Sequence, residues 1–175
     1  DGGIITTNSE HMNSRIRLLR NHGLSGRDTC EEFGFNSRLD TIQAVVGHHM
    51  LGKIKDITES RISNAKYLDF HLSGISEIKI PERIAGLKEV FHIYSFIGEN
   101  RDELINFLRS FGIDAKIHYP VPMHLQPAAT LLGPIQQNLA KTEFMSQRTI
   151  SLPVHEFVDR SQLDFMIAKV KEFYG

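Results

Sequence analysis

Residues 90–117, VFHIYSFIGENRDELINFLRSFGIDAKI, change hydrophobic period twice. Val90–Ile97 is rich in β-branched and aromatic residues, the composition of a strand. Behind it, Asn100 and Glu103 stand three apart, the spacing of a capping box. Leu104, Phe107, Leu108 and Phe111 then recur at helical spacing. Gly112 stops that helix, and Ile113–Ile117 returns to a strand pattern. A strand, a helix and a second strand predict a layered sheet with helices on one face, an α/β or α+β arrangement.

The flanking sequence extends the pattern. Downstream, a helix is expected over Pro134–Ser146 and a short strand over Thr149–Leu152. Asp159 with Gln162 caps a final helix carrying Leu163, Met166, Ile167 and Val170. Upstream, Ile78-Lys79-Ile80-Pro81 is another β candidate. Leu39, Ile42, Val46 and Met50 line one helical face, and Ile54, Ile57, Ala65, Leu68 and Leu72 carry helical character to residue 73. That length reads either as one helix lying against another element or subunit, or as two helices broken near Gly52. Residues 24–38 lack periodicity and read as a long loop of the kind kept for a site or an interface. Asn8 is placed to cap a helix running through Arg20, which His22-Gly23 stops, and Ile4-Ile5-Thr6-Thr7 reads as a strand.

Composition removes several function classes. The chain has 175 residues, 41% of them hydrophobic, enough for one sizeable core or a core with a subdomain. Twenty Lys plus Arg balance twenty-one Asp plus Glu, with no basic stripe of the kind that tracks nucleic acid. A single cysteine, Cys30, excludes an internal disulfide framework. No apolar run reaches the ~18 residues of a membrane helix, so a cytoplasmic protein is expected. The nine histidines form no recognisable zinc motif, and no metal is expected.

The chemistry concentrates in His118-Tyr119-Pro120-Val121-Pro122-Met123-His124. Each proline fixes its own φ and pushes the residue before it toward an extended conformation, so the run is stiff. Following Ile113–Ile117, it presents two imidazoles and a phenol at a strand's carboxyl edge, where α/β ligands often bind. Alternatively the prolines simply shape a loop and the histidines face water.

Four blocks occur in one order: Asp1-Gly2-Gly3-Ile4-Ile5-Thr6-Thr7, Arg20-Asn21-His22-Gly23, Gly34 through Ala44, and His118 through Gln126. Together they resemble the carboxyl half of the DegT/DnrJ/EryC1/StrS sugar aminotransferases, across essentially the whole chain. The resemblance implies an α/β fold, the carboxyl part of an aspartate aminotransferase-type (fold type I) enzyme. Residues 1–73 would close the large domain and carry the interface loop and long helices; residues 74–175 would form the small carboxyl-terminal α/β domain. It also implies pyridoxal 5'-phosphate, held by a lysine, and transfer of an amino group from glutamate or glutamine to a nucleotide-linked ketosugar. That lysine would lie before Asp1, so the segment alone is not expected to complete the reaction; Lys53, Lys55 and Lys66 do not match its position.

Through the same resemblance Asn36 reaches across a homodimer interface to the cofactor phosphate, for which its amide is suited. Arg38 either holds a substrate phosphate or carboxylate or pairs with Asp40. His118, Tyr119 and His124 face the substrate, or else scaffold the pocket. His22 fits either a loop near the site or a helix-terminal carbonyl contact. A different class remains open: a noncatalytic carbohydrate-associated or regulatory module with an aminotransferase-like fold.

Overall fold

The computed structural model describes residues 2–133 and 138–175. The chain divides into two compact units, Asp1–Ile54 and Lys55–Gly175.

In the first unit, α1 spans Glu10–Leu19 and α2 spans Thr41–Leu51. The cap of α1 is Ser9, not Asn8: the Ser9 hydroxyl accepts from the Met12 amide at 3.3 Å, because Ser9 stands the required three residues before it. His22 and Gly23, at φ 59° and 72°, end this helical run as expected. Ile4–Thr7, expected as a strand, forms no ladder; among the described residues no strand runs beside it to accept its hydrogen bonds. A turn at Gly52-Lys53 follows α2, so the helical stretch is broken there.

The second unit holds the core. Helix α3 spans Ile54–Leu72, and the strands are β1 (Ile78–Lys79), β2 (Tyr94–Gly98) and β3 (Thr149–Leu152). Three further helices are α4 (Arg101–Ser110), α5 (Ala140–Ser146) and α6 (Arg160–Tyr174). The sheet runs β1-β2-β3, antiparallel throughout, with Tyr94 opposite Leu152 and Phe96 opposite Ile150. These four side chains are buried, together with Ala65, Leu68 and Leu72 of α3, Leu104 and Leu108 of α4, and Leu163 and Val170 of α6. Each Leu, Ile, Val or Phe among them, removed from water, stabilises the fold by about 1.5–3 kcal/mol. One sheet face therefore belongs to the helices, and the other is left for Ser95 and Ser151.

The decisive stretch folds differently at three points. The strand begins at Tyr94, not Val90, because Phe91 takes φ 48° and the Arg61 guanidinium holds the Phe91 and His92 carbonyls, each at 3.2 Å. Asn100 is itself left-handed, at φ 48° and ψ 41°, and makes no side-chain cap, so the expected capping box with Glu103 is absent. Ile113–Ile117 contracts to one bridge, Lys116 to Ser151, on the far edge of β3 from β2. Strand β3 is thereby inserted between the two runs that flank α4, which lie parallel to one another.

Downstream, α5 covers only the end of the helix expected over Pro134–Ser146; residues 134–137 lie outside the described residues. The α6 capping box is as expected: Asp159 accepts from the Gln162 amide at 2.9 Å, and the Gln162 side chain accepts from the Asp159 amide at 3.0 Å. Arg83 ties the connector after β1 to α3 through two 2.9 Å bonds to Asp69, with Glu89 at 3.0 Å. Burial first, and the Asp69 charge second, raise the titration of the neighbouring Tyr94 hydroxyl.

Candidate functional site

In the first unit the chain crosses itself behind α1. The His22 amide donates to the Phe35 carbonyl at 2.8 Å, the Phe35 amide to Leu19 at 2.8 Å, and the Ser37 amide to Arg20 at 2.9 Å. Asn21 and Asn36 form an antiparallel bridge. Only glycine fits at the crossing. A Cβ on Gly34 would stand 2.5 Å from the Gly23 nitrogen, and one on Gly23 would stand 1.5 Å from the Glu32 carbonyl oxygen. The blocks around Arg20–Gly23 and Gly34–Ala44 are thus one structural element.

That element presents Asn36 and Arg38. The Asn36 side-chain oxygen accepts from Arg38 Nε at 3.3 Å, which turns the NH₂ of the amide outward as a donor. Among the described residues Arg38 makes no ion pair with Asp40. Both side chains are exposed, so a guanidinium and an amide NH₂ stand together on a backbone fixed by the crossing. Donors of this kind suit anionic groups: the Asn36 amide fits the phosphate of pyridoxal phosphate, and the Arg38 guanidinium fits a second phosphate or a carboxylate. His22 contributes through its backbone: its carbonyl accepts from the Cys30 thiol at 3.5 Å.

In the second unit, the run after Lys116 walls a cavity of about 620 Å³ with His118, Tyr119, the Pro120–Met123 turn and Gln126 on one side. Thr142, Met145 and Ser146 of α5 form the other side, and Ser95 and Thr149 of the sheet also line it. Two 3-10 turns, Met123–Leu125 and Pro127–Leu132, follow the proline run. The Gln126 side chain donates to the Val121 carbonyl at 3.1 Å and braces the turn. His118 also borders a second, more polar cavity of about 310 Å³ with Arg61, His92 and Lys116. Tyr119 is 73% exposed, its phenol free to meet a ligand.

His124 is placed differently. Its side chain is 12% exposed, and its Nε2 lies 3.0 Å from Glu143 on α5. The pair joins the two walls of the larger cavity, so His124 fastens the loop to the helix. Sequence reading passed over Ser95 and Ser151. The His118 Nδ1 lies 3.0 Å from the Ser151 hydroxyl, which lies 2.8 Å from that of Ser95. The available signal was a serine between Ile150 and Leu152 in a strand where all three side chains are buried. Among the described residues no three His, Cys, Asp or Glu side chains converge to hold a metal, and no helix is long and apolar enough to cross a membrane.

Residues 1–171 match the DegT/DnrJ/EryC1/StrS aminotransferase family. The chain belongs to this family. It is similar, at 32% identity over 99% of its length, to a pleiotropic regulatory protein of Geobacillus stearothermophilus, of which it covers 47%. At 34% identity over 99% of the chain it is similar to the dTDP-3-amino-3,4,6-trideoxy-alpha-D-glucose transaminase of Streptomyces venezuelae, covering 46% of that protein. Among solved structures, S. venezuelae DesV superposes with a TM-score of 0.90 at 33% identity, over 96% of this chain and 45% of that one. The DegT-family chain thus spans about half the length of the curated relatives it matches. Its fold is the α/β architecture of these fold type I aminotransferases.

Proposed function

We propose that this DegT-family chain is the carboxyl half of a homodimeric, pyridoxal phosphate-dependent sugar aminotransferase. It moves an amino group from glutamate or glutamine to a nucleotide-linked ketosugar. The observation that carries this reading is the family match over residues 1–171. The Asn36–Arg38 donor pair and the polar cavity at His118 and Tyr119 support it.

When bound, pyridoxal phosphate supplies the electron sink that makes amino transfer accessible. The residues of this chain bind and orient. Asn36 donates its amide N–H to the cofactor phosphate of the partner subunit, with its orientation set by Arg38. Arg38 keeps a guanidinium face for a second anionic group, a phosphate or a carboxylate. His118 and Tyr119 hydrogen-bond the hydroxylated acceptor, and the prolines hold both rings in place before it arrives, so turnover responds to them more than cofactor loading does. His124 serves that site through Glu143, by fixing the loop. Lys53 lies in the turn after α2, Lys55 faces Glu59 at 4.0 Å and Lys66 is exposed on α3; none is assigned the catalytic role.

The test is to prepare the full-length protein that carries this chain, load it with pyridoxal phosphate, and follow the visible cofactor band and amino transfer to a panel of nucleotide ketosugars. Cofactor binding with transfer supports the reading; a folded dimer that shows neither overturns it. Asn36→Ala is expected to weaken cofactor retention by about 1–3 kcal/mol, the range for losing a hydrogen bond to a charged group. One observation favours a regulatory reading: the Geobacillus relative carries a regulatory name. A full-length protein that binds cofactor and transfers no amino group to any acceptor would favour it.

A further inference from the structure

Ser151 is one of two buried polar residues among the described residues, at 3% exposure, and its backbone and side chain hold the same segment. Its amide donates to the Lys116 carbonyl at 2.8 Å and its carbonyl accepts from the Lys116 amide at 3.0 Å, which anchors the strand edge two residues before His118. Its hydroxyl sits between Ser95 and the His118 Nδ1, at 2.8 and 3.0 Å. His118, so tethered, lines both the 310 Å³ and the 620 Å³ cavity.

A hydroxyl has one proton to donate, so a chain of two hydroxyls and one ring nitrogen runs in one of two directions. If His118 donated from Nδ1, Ser151 would donate to Ser95, and the half-buried Ser95 would have only the solvent of the larger cavity, with no protein acceptor among the described residues, to take its proton. If Ser95 donates to Ser151 and Ser151 to Nδ1, both hydroxyl protons are used inside the protein. The remaining ring proton then sits on Nε2, the nitrogen left for a ligand. We infer that Ser151 is a positioning residue: with Ser95 behind it, it holds His118 as the Nε2–H tautomer and presents a hydrogen-bond donor to an acceptor oxygen of the bound sugar nucleotide. This inference rests on the proposed function for the identity of the ligand, while the tautomer itself is a property of the protein alone.

The experiment uses the full-length protein labelled with ¹⁵N-histidine. In its neutral form His118 is expected to show an acceptor-type shift at Nδ1 and a protonated shift at Nε2. Ser151→Ala should convert this to a mixture of tautomers and lower kcat/KM for the preferred nucleotide ketosugar by about tenfold, the effect of one hydrogen bond. Visible absorbance of the bound cofactor should stay unchanged. Ser151→Thr, which keeps the hydroxyl, should restore both, and Ser95→Ala should shift the tautomer balance in the same direction as Ser151→Ala while leaving the β3 backbone intact. A wild-type Nδ1–H tautomer, or a His118 signature unaltered in Ser151→Ala and Ser95→Ala, overturns the inference. If the tautomer responds but no ketosugar is aminated by the wild type, the hydrogen-bond relay stands and the aminotransferase reading falls. If the wild type aminates and both variants match it in kcat/KM, the relay has no role in the reaction and the inference fails.

Discussion

The two units of this chain are ordered by different means. Every buried apolar residue recorded belongs to Lys55–Gly175, whereas α1 and α2 of Asp1–Ile54 bury no residue at all. The first unit relies on a backbone crossing that only two glycines permit; the second relies on side chains closing around one face of a sheet. Helix α2 sharpens the contrast. Its sequence, TIQAVVGHHML, carries no Asp, Glu, Lys or Arg, and Ile42, Val45 and Val46 are all exposed. A surface of that composition is suited to contact with other protein, in keeping with the proposed homodimer.

The largest break in this contrast comes from truncating matched apolar residues in each unit. Phe96→Ala, at a fully buried position of β2, is expected to cost about 3–5 kcal/mol. Ile42→Ala, at an 80% exposed position of α2, should change the stability of the isolated chain by less than about 0.5 kcal/mol. Urea melts of the two variants decide this. Equal losses would mean that α2 is packed in the isolated chain.

Gly34→Ala should come next, with a loss of more than about 1 kcal/mol confined to the first unit, because its Cβ meets backbone atoms rather than a movable side chain. Hydrogen exchange is the readout: the amides of His22, Phe35 and Ser37 should lose protection while β2 and β3 keep theirs. Protection retained at those three amides would show that the neck tolerates a methyl group.

The smallest effect is a pH dependence in α6. The hydroxyl of Ser161 and the Gln162 amide hold the Asp159 carboxylate below its ordinary titration range. Its folded value is therefore lower than its unfolded one. The stabilisation it adds is complete above the unfolded value and disappears as pH falls through the folded one. Asp159→Asn should flatten the acid limb of stability against pH, which a series of thermal melts between neutral and strongly acidic pH would detect. An unchanged acid limb would remove Asp159 from the account.

Legibility in the sequence follows the same division. Short-range devices read well: the Asp159–Gln162 box, the stop at His22-Gly23 and the strand Thr149–Leu152 depend on residues a few positions apart. The Asn100 box failed because the backbone itself turns left-handed there, and the residue pair alone does not reveal that turn. The Val90–Ile93 extension failed because Arg61, thirty residues away at Phe91, claims carbonyls that a ladder would have used. Along the proline run, the polar side chains of His118, Tyr119 and His124 were legible as residue types. Their partners were not: Glu143 and Ser151 come from elements placed beside the loop only by the fold, and local period carries no trace of such pairings.

The glycine crossing also separates what must stay fixed from what can vary. Gly23 and Gly34 close the neck of the loop, so the residues between them form an excursion whose two ends are pinned beside each other. Doubling the length of such an excursion adds only about 0.6 kcal/mol of closure entropy. In this chain the tip around Ser25–Asp28 can therefore be lengthened, shortened or rewritten without displacing Asn36. The same tip is a tolerant place to insert an affinity tag or a fluorophore into this chain.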